Sequence, residues 1–475
     1  HDAGGSTRQP TLTALPRILN TLQREGYHFI SLEKYLGMSR SQLMPVIPKD
    51  KAYYAMQANL SLAELIYHAS DFLTALFLVF LVLGFARLLF MYILMIREKR
   101  REKRRAYSQL DKTNAAKVSI IVPAYNEEVN VVRTLENLKM QDYPNFDIVF
   151  VDDGSKDNTL KRVQEAFADD PNIVILTKQN AGKASALNYG IAHTTAEYVV
   201  CIDADTQLRK NAVTLLMRHY LTDTEGKIGA VAGNVKVGNQ RNMLTRWQAI
   251  EYTTSQNFDR MAYASINAIT VVPGAIGAFR KKAIEDAGGF NTDTLAEDCD
   301  LTMGILEKDY VIENENAAIA MTEAPESLRQ FVKQRTRWTF GVMQTFWKHR
   351  AALFSKKYKG FGLWAMPNML IFQYIIPTFS PLADLMMLFG LFMGNGWQIF
   401  IYYLLFLLVD GSVSIMAYIV EKEPLWVLLW IIPQRFFYRW VMYYVIFKSY
   451  MKAIKGELQS WGVLKRTGNV TIANK

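Results

Sequence analysis

Lys117-Val-Ser-Ile-Ile-Val-Pro-Ala-Tyr-Asn-Glu-Glu128 sets an apolar, β-branched run, Val118–Val122, directly against an acidic turn. A short apolar run closed by Pro and Asn reads as a strand buried on both faces. Working outward, the pattern recurs at Ile148–Val151, Ile173–Leu176, Tyr198–Ile202 and Ile228–Ala232, with helical patterning over Leu160–Ala168 and Ala184–Ala192. Strands alternating with helices predict an α/β domain from Lys117 to about Phe340, built on a mainly parallel sheet covered on both faces. In such sheets ligands bind beyond the carboxyl ends of the strands.

Those ends are acidic. Pro123–Glu128 follows the first run, Asp152-Asp-Gly-Ser155 the second and Asp203-Ala-Asp205 the fourth. Carboxylates gathered around one crevice repel each other unless something positive sits among them. A Mg²⁺-type ion on a diphosphate meets that need, because it takes only one or two protein carboxylates beside phosphate oxygens. A lone Asp-x-Asp is more often a turn with two solvated aspartates; in series with two other acidic exits it points to a metal–phosphate site. Asn180–Gly190 is a loop running into a helix, with Lys183 at the turn where a helix N-terminus favours phosphate. It lacks the spacing of a mononucleotide-kinase loop. Ala296-Glu297-Asp298 follows the turn Gly288-Gly-Phe290 and offers a carboxylate that can take a proton from an attacking hydroxyl. In Gln334-Arg-Thr-Arg-Trp338, residues Gln334, Arg337 and Trp338 share one helical face. They present an amide, a guanidinium suited to phosphate and an indole suited to a sugar ring. The same residues also suit an interfacial helix anchored by Trp and Arg.

The 475 residues are 50% hydrophobic and 21% charged, which excludes disordered and low-complexity classes. Two cysteines, Cys201 and Cys299, exclude a disulfide framework and a four-cysteine zinc site. Half of the net charge of +10 sits in Arg97–Arg105 (REKRREKRR), beside an apolar run. That placement suits a membrane topology signal and argues against a nucleic-acid partner. Phe72–Ile96, whose one charge is Arg87, is long enough to cross ~30 Å of hydrocarbon. It lies too deep in the chain for a signal peptide. The basic run places the residues after it in the cytoplasm and those before Phe72 outside. Three more apolar stretches lie toward the C-terminus: Met369–Met393 with Asp384, Pro377 and Pro381; Gln398–Val420 with Asp410; and Pro424–Phe447 with Arg435 and Arg439. The prolines predict a kinked or broken helix in the first stretch, and the last either spans the bilayer or lies in its interface. Intramembrane charges usually face protein or water, so Asp384, Asp410, Arg435 and Arg439 are candidates for lining a passage or for pairing between helices. Three crossings would carry the basic tail outside, against its preference, so their number stays open. The expected organisation is 1–70 extracytoplasmic, 71–96 transmembrane helix, 97–116 basic linker, 117–342 catalytic domain, 343–368 interfacial helix region, 369–451 transmembrane or interfacial helices, and 452–475 basic tail.

In order and spacing, these motifs resemble the processive family 2 glycosyltransferases, which make cellulose, chitin, hyaluronan and poly-N-acetylglucosamine. The likeness is closest to the bacterial poly-β-1,6-N-acetylglucosamine synthases, through Val272-Pro-Gly-Ala-Ile-Gly277, Gln334–Trp338 and a tail with Ala453–Gly456, Trp461 and Arg466-Thr-Gly468. The resemblance implies a GT-A type, Rossmann-like cytoplasmic domain embedded between transmembrane helices of a bacterial plasma membrane. The implied activity is inverting, processive polymerisation and export of N-acetylglucosamine from a UDP-sugar donor onto a growing polysaccharide acceptor. A hyaluronan-, chitin- or cellulose-type synthase, or a single-sugar transferase to a polyprenyl phosphate, is the alternative. The resemblance puts Tyr125, Glu127 and Asp152 on the uridine, Lys183 and Asp203 on ribose or phosphates, and Asp205 with Asp203 on Mg²⁺ or Mn²⁺. It places Gly274 at the substrate, Asp298 as general base with Glu297 beside it, and Gln334, Arg337 and Trp338 on the diphosphate and acceptor sugar. Ala296 stands where relatives have Thr or Gly, which leaves both carboxylates in place. The lipid bilayer is an implied partner, and a small membrane accessory subunit is left open. Residues 1–70 resemble the C-terminal end of a NodB-type polysaccharide deacetylase, through His1-Asp-Ala-Gly-Gly5, Thr11–Leu22 and Gly26–Leu32. The family's earlier metal motifs are not among them, so this segment is expected to be a remnant unable to deacetylate.

Overall fold

Every residue of the first strand, β1 (Val118–Ala124), is buried, and that is why an unbroken β-branched run encodes it instead of an alternating one. After it come β2 (Phe146–Asp152), β3 (Ile173–Thr177), β4 (Tyr198–Cys201), β5 (Gln207–Leu208), β6 (Ile228–Val237), β7 (Gly277–Arg280) and β8 (Val311–Thr322). They form one sheet in the order β3-β2-β1-β4-β7-β6-β8-β5. The computed structural model describes residues 9–45, 48–105, 107, 115–392, 396–455, 468 and 470. The chain divides into two compact units, His1–Ala75 and Leu76–Lys475.

All five apolar runs form strands. β3, β2, β1 and β4 are parallel, as are β6 and β8. The sheet is more mixed than the sequence suggested: β7 runs antiparallel to both β4 and β6, and β5 antiparallel to β8. Sequence patterning missed these strands for physical reasons. β5 and β7 are too short to carry a pattern, and β8 (VIENENAAIAMT) spreads Glu and Asn through its length. The register aligns Ala124 with Asp152 and Ile121 with Cys201, so the loops after β1, β2 and β4 leave from one edge. Because β7 is reversed, the loop before it arrives at that same edge, and β8 delivers Thr322 and Glu323 there beside the end of β6.

Alternation along the strands builds two cores. One face carries Ile120, Val122, Ile148, Phe150 and Val200 against Leu135, Leu138, Val163, Leu216 and Met217. The other carries Ile121, Val149, Val151 and Val199 against the helix Lys183–Ala192 and Met91, Leu94 and Met95. Gly190 permits this packing, since a Cβ there would lie 2.8 Å from Ile121 and 3.0 Å from Val151.

Among the described residues one helix, Lys51–Arg104, is long and apolar enough to cross a membrane. The last turns of its apolar run, at Met91 and Leu94–Met95, are buried in the domain core. Arg101 and Arg105 of the basic run pair with Glu313 of β8, Arg105 at 2.9 Å, so part of that charge ties the helix to the domain. Arg87 is neutralised by Asp259 at 2.7 Å and donates to Asn368 at 2.8 Å. Met369–Met393 starts as a π-helical segment, Met369–Ile375, and continues without a helical break into Ile376–Phe392, which contains Pro381. Helices Gly396–Glu421 and Ile431–Lys455 account for the other two stretches, the latter after a 3-10 segment Leu425–Trp430. Arg439 pairs with Asp384 at 3.1 Å, and the Tyr443 hydroxyl donates to the same carboxylate at 2.8 Å. Two of the four charges considered for a passage are thus paired with each other. The Asp410 side chain, Gly456, Trp461 and Arg466-Thr467 lie outside the described residues. The helix bearing QRTRW, Leu328–Lys348, runs through the expected boundary at 342, and the rest of 343–368 holds two 3-10 turns, Arg350–Ala352 and Lys356–Tyr358, and a π-helical segment Phe361–Ala365 that runs into the helix Met366–Asn368.

In the first unit, the helix Gln9–Arg24 precedes two short helices, Leu32–Leu36 and Arg40–Leu43. The second and third are capped by Ser31 and by a Ser39–Gln42 capping box. Leu12, Leu15 and Ile18 are exposed. His1–Gly5 lie outside the described residues.

Buried Asp300 clasps the helix Glu297–Glu307 to the end of the helix Leu328–Lys348. It accepts from Asn291 at 2.7 Å, Lys348 at 3.0 Å and His349 at 3.1 Å, while His349 reaches Glu307 at 2.9 Å with its other nitrogen. Burial works against the imidazolium, but hydrogen bonds to Asp300 and Glu307 outweigh it and raise His349 to about 9. The clasp's contribution is therefore full below the unfolded histidine value of roughly 6.5 and is lost as pH rises through about 9. Thermal melts should show wild type more stable than His349→Gln at pH 6, with the gap closing by pH 10. A gap independent of pH would show that the imidazolium does not hold the clasp.

Candidate active site

A cavity of about 430 Å³ opens at the carboxyl edge of the sheet. Tyr125 and Glu127 reach it from the loop after β1, and Asp203 and Asp205 from the loop after β4. Lys183 enters from the start of its helix, Gly274 from the loop before β7, and Glu297 and Asp298 from the first turn of theirs. Gln334, Arg337 and Trp338 close one side, which bears out the shared helical face read from their spacing. Asp152 is the one sequence-predicted residue that does not line it.

Asp152 is turned to its own loop, accepting from Ser155 N at 3.2 Å and Thr177 Oγ1 at 3.3 Å. Asp153 shapes the neighbouring loop, accepting from Gly182 N at 2.8 Å, Ala181 N at 3.1 Å and Lys178 Nζ at 2.8 Å. The Asp153 carboxylate thus takes the amides of Ala181 and Gly182, the two residues that lead into the Lys183 helix. The loop after β1 is clipped to the same turn: Asn126 N donates to Ser155 Oγ at 3.0 Å, and Glu127 N to Thr159 Oγ1 at 2.8 Å.

Lys183 is the hub. Its ammonium lies 2.7 Å from Asp203 Oδ1 and 3.0 Å from Glu297 Oε1, bridging the loop after β4 to the helix that carries Asp298. Burial opposes the charge, yet Asp203, Glu297 and Asp298 outweigh it and hold Lys183 above the usual lysine value. Gly274 makes room for the bridge, since a Cβ there would stand 2.5 Å from Lys183 Nζ. Asp298 Oδ1 accepts from Cys299 N at 2.8 Å, in the first helical turn where the dipole favours a carboxylate. Burial pushes Asp298 up to about 6; Glu297 adds to the push, and Lys183 opposes it. Such a carboxyl is ionised at neutral pH yet basic enough to take a proton.

Asp205 is buried at the cavity wall, its Oδ1 accepting from Thr206 Oγ1 at 3.2 Å and Thr322 Oγ1 at 3.5 Å. Its oxygens suit a hard divalent cation. Among the described residues no group of three or more His, Cys, Asp or Glu is arranged to hold a metal. Trp338 is held from behind: the Arg335 guanidinium lies 4.3 Å from its ring centroid and pairs with Glu251 at 2.7 Å.

Sequence reasoning missed several cavity residues. Glu323 follows β8 and accepts from Asn130 at 3.3 Å and from Gly468 N at 3.2 Å, bringing a tail residue to the site's edge. It is another acid at a strand exit, hidden because β8 was not recognised. Tyr252, Asp259 and Arg260 line the cavity from one helical stretch whose sequence carries no motif.

Residues 119–288 match the family described as Glycosyl transferase family 2. Two poly-beta-1,6-N-acetyl-D-glucosamine synthases are similar in sequence. The one from Staphylococcus epidermidis is 32% identical over 234 residues, covering 48% of this chain and 56% of the relative. The one from Staphylococcus aureus (strain COL) is 31% identical over 224 residues, covering 47% and 54%. The chain thus spans about half the length of the curated relatives it matches. In fold it is similar to a mannosyltransferase from Pyrobaculum calidifontis solved in complex with GDP-Man and Mn²⁺. That likeness has a TM-score of 0.53 and 21% identity, and covers 74% of this chain and 99% of the other.

With Asp298 raised to about 6, transfer that needs its carboxylate should fall away as pH drops through that value. Asp298→Asn should lose about 10²–10⁴-fold in kcat while its thermal stability stays near that of wild type. Near-normal turnover of this variant, or a profile flat from pH 5 to 8, would remove Asp298 from the chemistry.

Proposed function

We propose that this protein is an inverting, processive β-glycosyltransferase that polymerises N-acetylglucosamine from UDP-N-acetylglucosamine, with the poly-β-1,6-linked polymer as product. One observation carries the reading: Lys183, Asp203, Asp205, Asp298 and the Gln334–Arg337–Trp338 face all meet in one cavity at the strand ends. The names of the similar staphylococcal synthases support the choice of sugar and linkage.

Tyr125 and Glu127 would hold the nucleoside, with Asp152 keeping the adjoining loop in shape. Asp205 and Asp203 would hold Mg²⁺ or Mn²⁺, and that cation, when bound, supplies positive charge against the diphosphate. Asp298 removes the proton from the acceptor hydroxyl, whose oxygen attacks the anomeric carbon while UDP departs from the opposite face. One displacement inverts α to β. Arg337 opposes the negative charge growing on the departing diphosphate. Lys183 keeps Asp203 and Glu297 from repelling it. Trp338 stacks on the acceptor sugar and holds the chain end in register for the next addition.

The reading extends to the membrane. The helix Lys51–Arg104 would anchor the catalytic domain on the cytoplasmic face, with Leu328–Lys348 leading the acceptor toward the terminal helices and out of the cell. Charges in these apolar stretches are paired, Arg87 with Asp259 and Arg439 with Asp384, as charges in apolar segments usually are.

The test offers membranes containing the protein a panel of labelled UDP-sugars with Mg²⁺ or Mn²⁺ and digests the product with linkage-specific glycosidases. The expected product is a long polymer from UDP-N-acetylglucosamine alone, cut by a β-1,6-specific enzyme. A single sugar on a polyprenyl phosphate, or a product made only from another donor, would overturn the reading.

A further inference from the structure

Behind the cavity wall a buried arginine is wedged between aromatic rings. The Arg335 guanidinium lies 4.3 Å from the Trp338 ring centroid and 5.7 Å from that of Tyr252, and both of those residues line the cavity. It also lies 5.1 Å from the ring of Phe331, one turn earlier on its own helix. Arg335 itself does not line the cavity and is 2% exposed, so it acts only through the groups packed around it.

Glu251, the last residue of the helix Met243–Glu251, holds that guanidinium, with its Oε2 2.7 Å from Arg335 Nη2. The Tyr438 hydroxyl donates to the same oxygen. Tyr438 belongs to the terminal helix Ile431–Lys455, and its ring packs 5.0 Å from Phe331 and 6.2 Å from Trp247 between centroids. Two more bonds fix this junction: Gln434 Nε2 donates to Trp247 O at 3.2 Å, and Trp247 Nε1 to Trp430 O at 3.0 Å. Contacts thus run unbroken from the terminal helix through Glu251 and Arg335 to the indole at the cavity. A buried ion pair often adds no stability over apolar residues of the same volume, whereas a planar guanidinium against a ring specifies an orientation.

We propose that Arg335 is a positioning residue that fixes the plane of Trp338, and that Tyr438, through Glu251, makes this plane depend on the terminal helix. The inference rests on the polymerase reading above and adds to it the residues that set polymer length. A polymerase extends its chain until the chain leaves, so mean length is the rate of addition divided by the rate of release. Addition is the work of Asp298 and the diphosphate-binding groups; holding the chain end is the work of Trp338. Loosening the indole therefore speeds release and leaves each addition almost as fast. The signature is specific: shorter polymer at similar donor turnover.

The test uses the full chain in detergent with Mg²⁺, saturating UDP-N-acetylglucosamine and a β-1,6-linked N-acetylglucosamine tetramer in large excess as primer, so that each chain meets the enzyme once. Polymer length and the initial rate of UDP release are read together. Arg335→Lys keeps a cation for Glu251 but loses the flat face against Trp338, and Tyr438→Phe keeps its ring on Phe331 but loses the hydroxyl on Glu251. Arg335→Lys should shorten the polymer about fivefold, the weight of one cation–π contact, and Tyr438→Phe about twofold through its indirect hold. UDP release should stay within about twofold of wild type in both. The double variant should make polymer no shorter than Arg335→Lys alone, because both residues act through one stack. Wild-type length in Arg335→Lys, whatever its Tm, would make Arg335 a structural residue and overturn the proposal. A fall in UDP release that matches the fall in length would also overturn it, by placing Arg335 on the chemical step. Effects that multiply in the double variant would cut Tyr438 out of the link. Should Arg335→Lys fail to fold, seen as loss of the UDP-dependent rise in Tm, Tyr438→Phe decides, and wild-type length there overturns the proposal. Wild type that releases no UDP, or adds a single sugar and stops, would instead refute the polymerase reading itself.

Discussion

The site depends on one buried cation. Lys183 stands between Asp203 and Glu297, at 2.7 and 3.0 Å, and without it three nearby carboxylates would face one another in a partly dry cavity. Much of the surrounding structure serves to put that ammonium there. Asp153 satisfies the loop amides that start its helix, and Gly190 lets the helix sit close on the sheet. Gly274 leaves the space its ammonium occupies. The bridge also joins the two halves of the domain, because Asp203 follows the parallel strands while Glu297 opens the helix that carries Asp298.

Fully buried strands write themselves as unbroken β-branched runs, and that is why β1 to β4 and β6 were legible from sequence while β5, β7 and β8 were not. The site was legible wherever chemistry needs a distinctive residue at a fixed spacing. The Asp-Ala-Asp exit, the Glu-Asp pair at a helix start and the i, i+3, i+4 face of QRTRW all meet at the cavity. Asp152 and Arg260 mark where such reading stops. An aspartate at a strand exit looks alike whether it faces a ligand or, like Asp152, its own turn. An arginine amid an ordinary helical sequence such as Phe258–Ala264 carries no sign that it is buried against a cavity. Only tertiary packing decides both.

The apolar segments are tied to the domain by specific pairs as well as by surface. Arg87 reaches Asp259 at the cavity wall, and Lys236 of β6 pairs with Glu421 at 2.7 Å, where the helix Gly396–Glu421 ends. Arg87, expensive in an isolated apolar stretch, is matched in the fold to a partner contributed by the domain, whereas Arg439 and Asp384 are matched to each other.

Mn²⁺ titration followed by electron paramagnetic resonance, with and without UDP, tests the donor half of the cavity directly. If Asp205 and the diphosphate share one cation, UDP should tighten Mn²⁺ binding by about tenfold or more in wild type, and Asp205→Asn should abolish that coupling. Coupling of undiminished size in Asp205→Asn would mean that the carboxylates gathered around Lys183 do not hold a cation-bridged nucleotide.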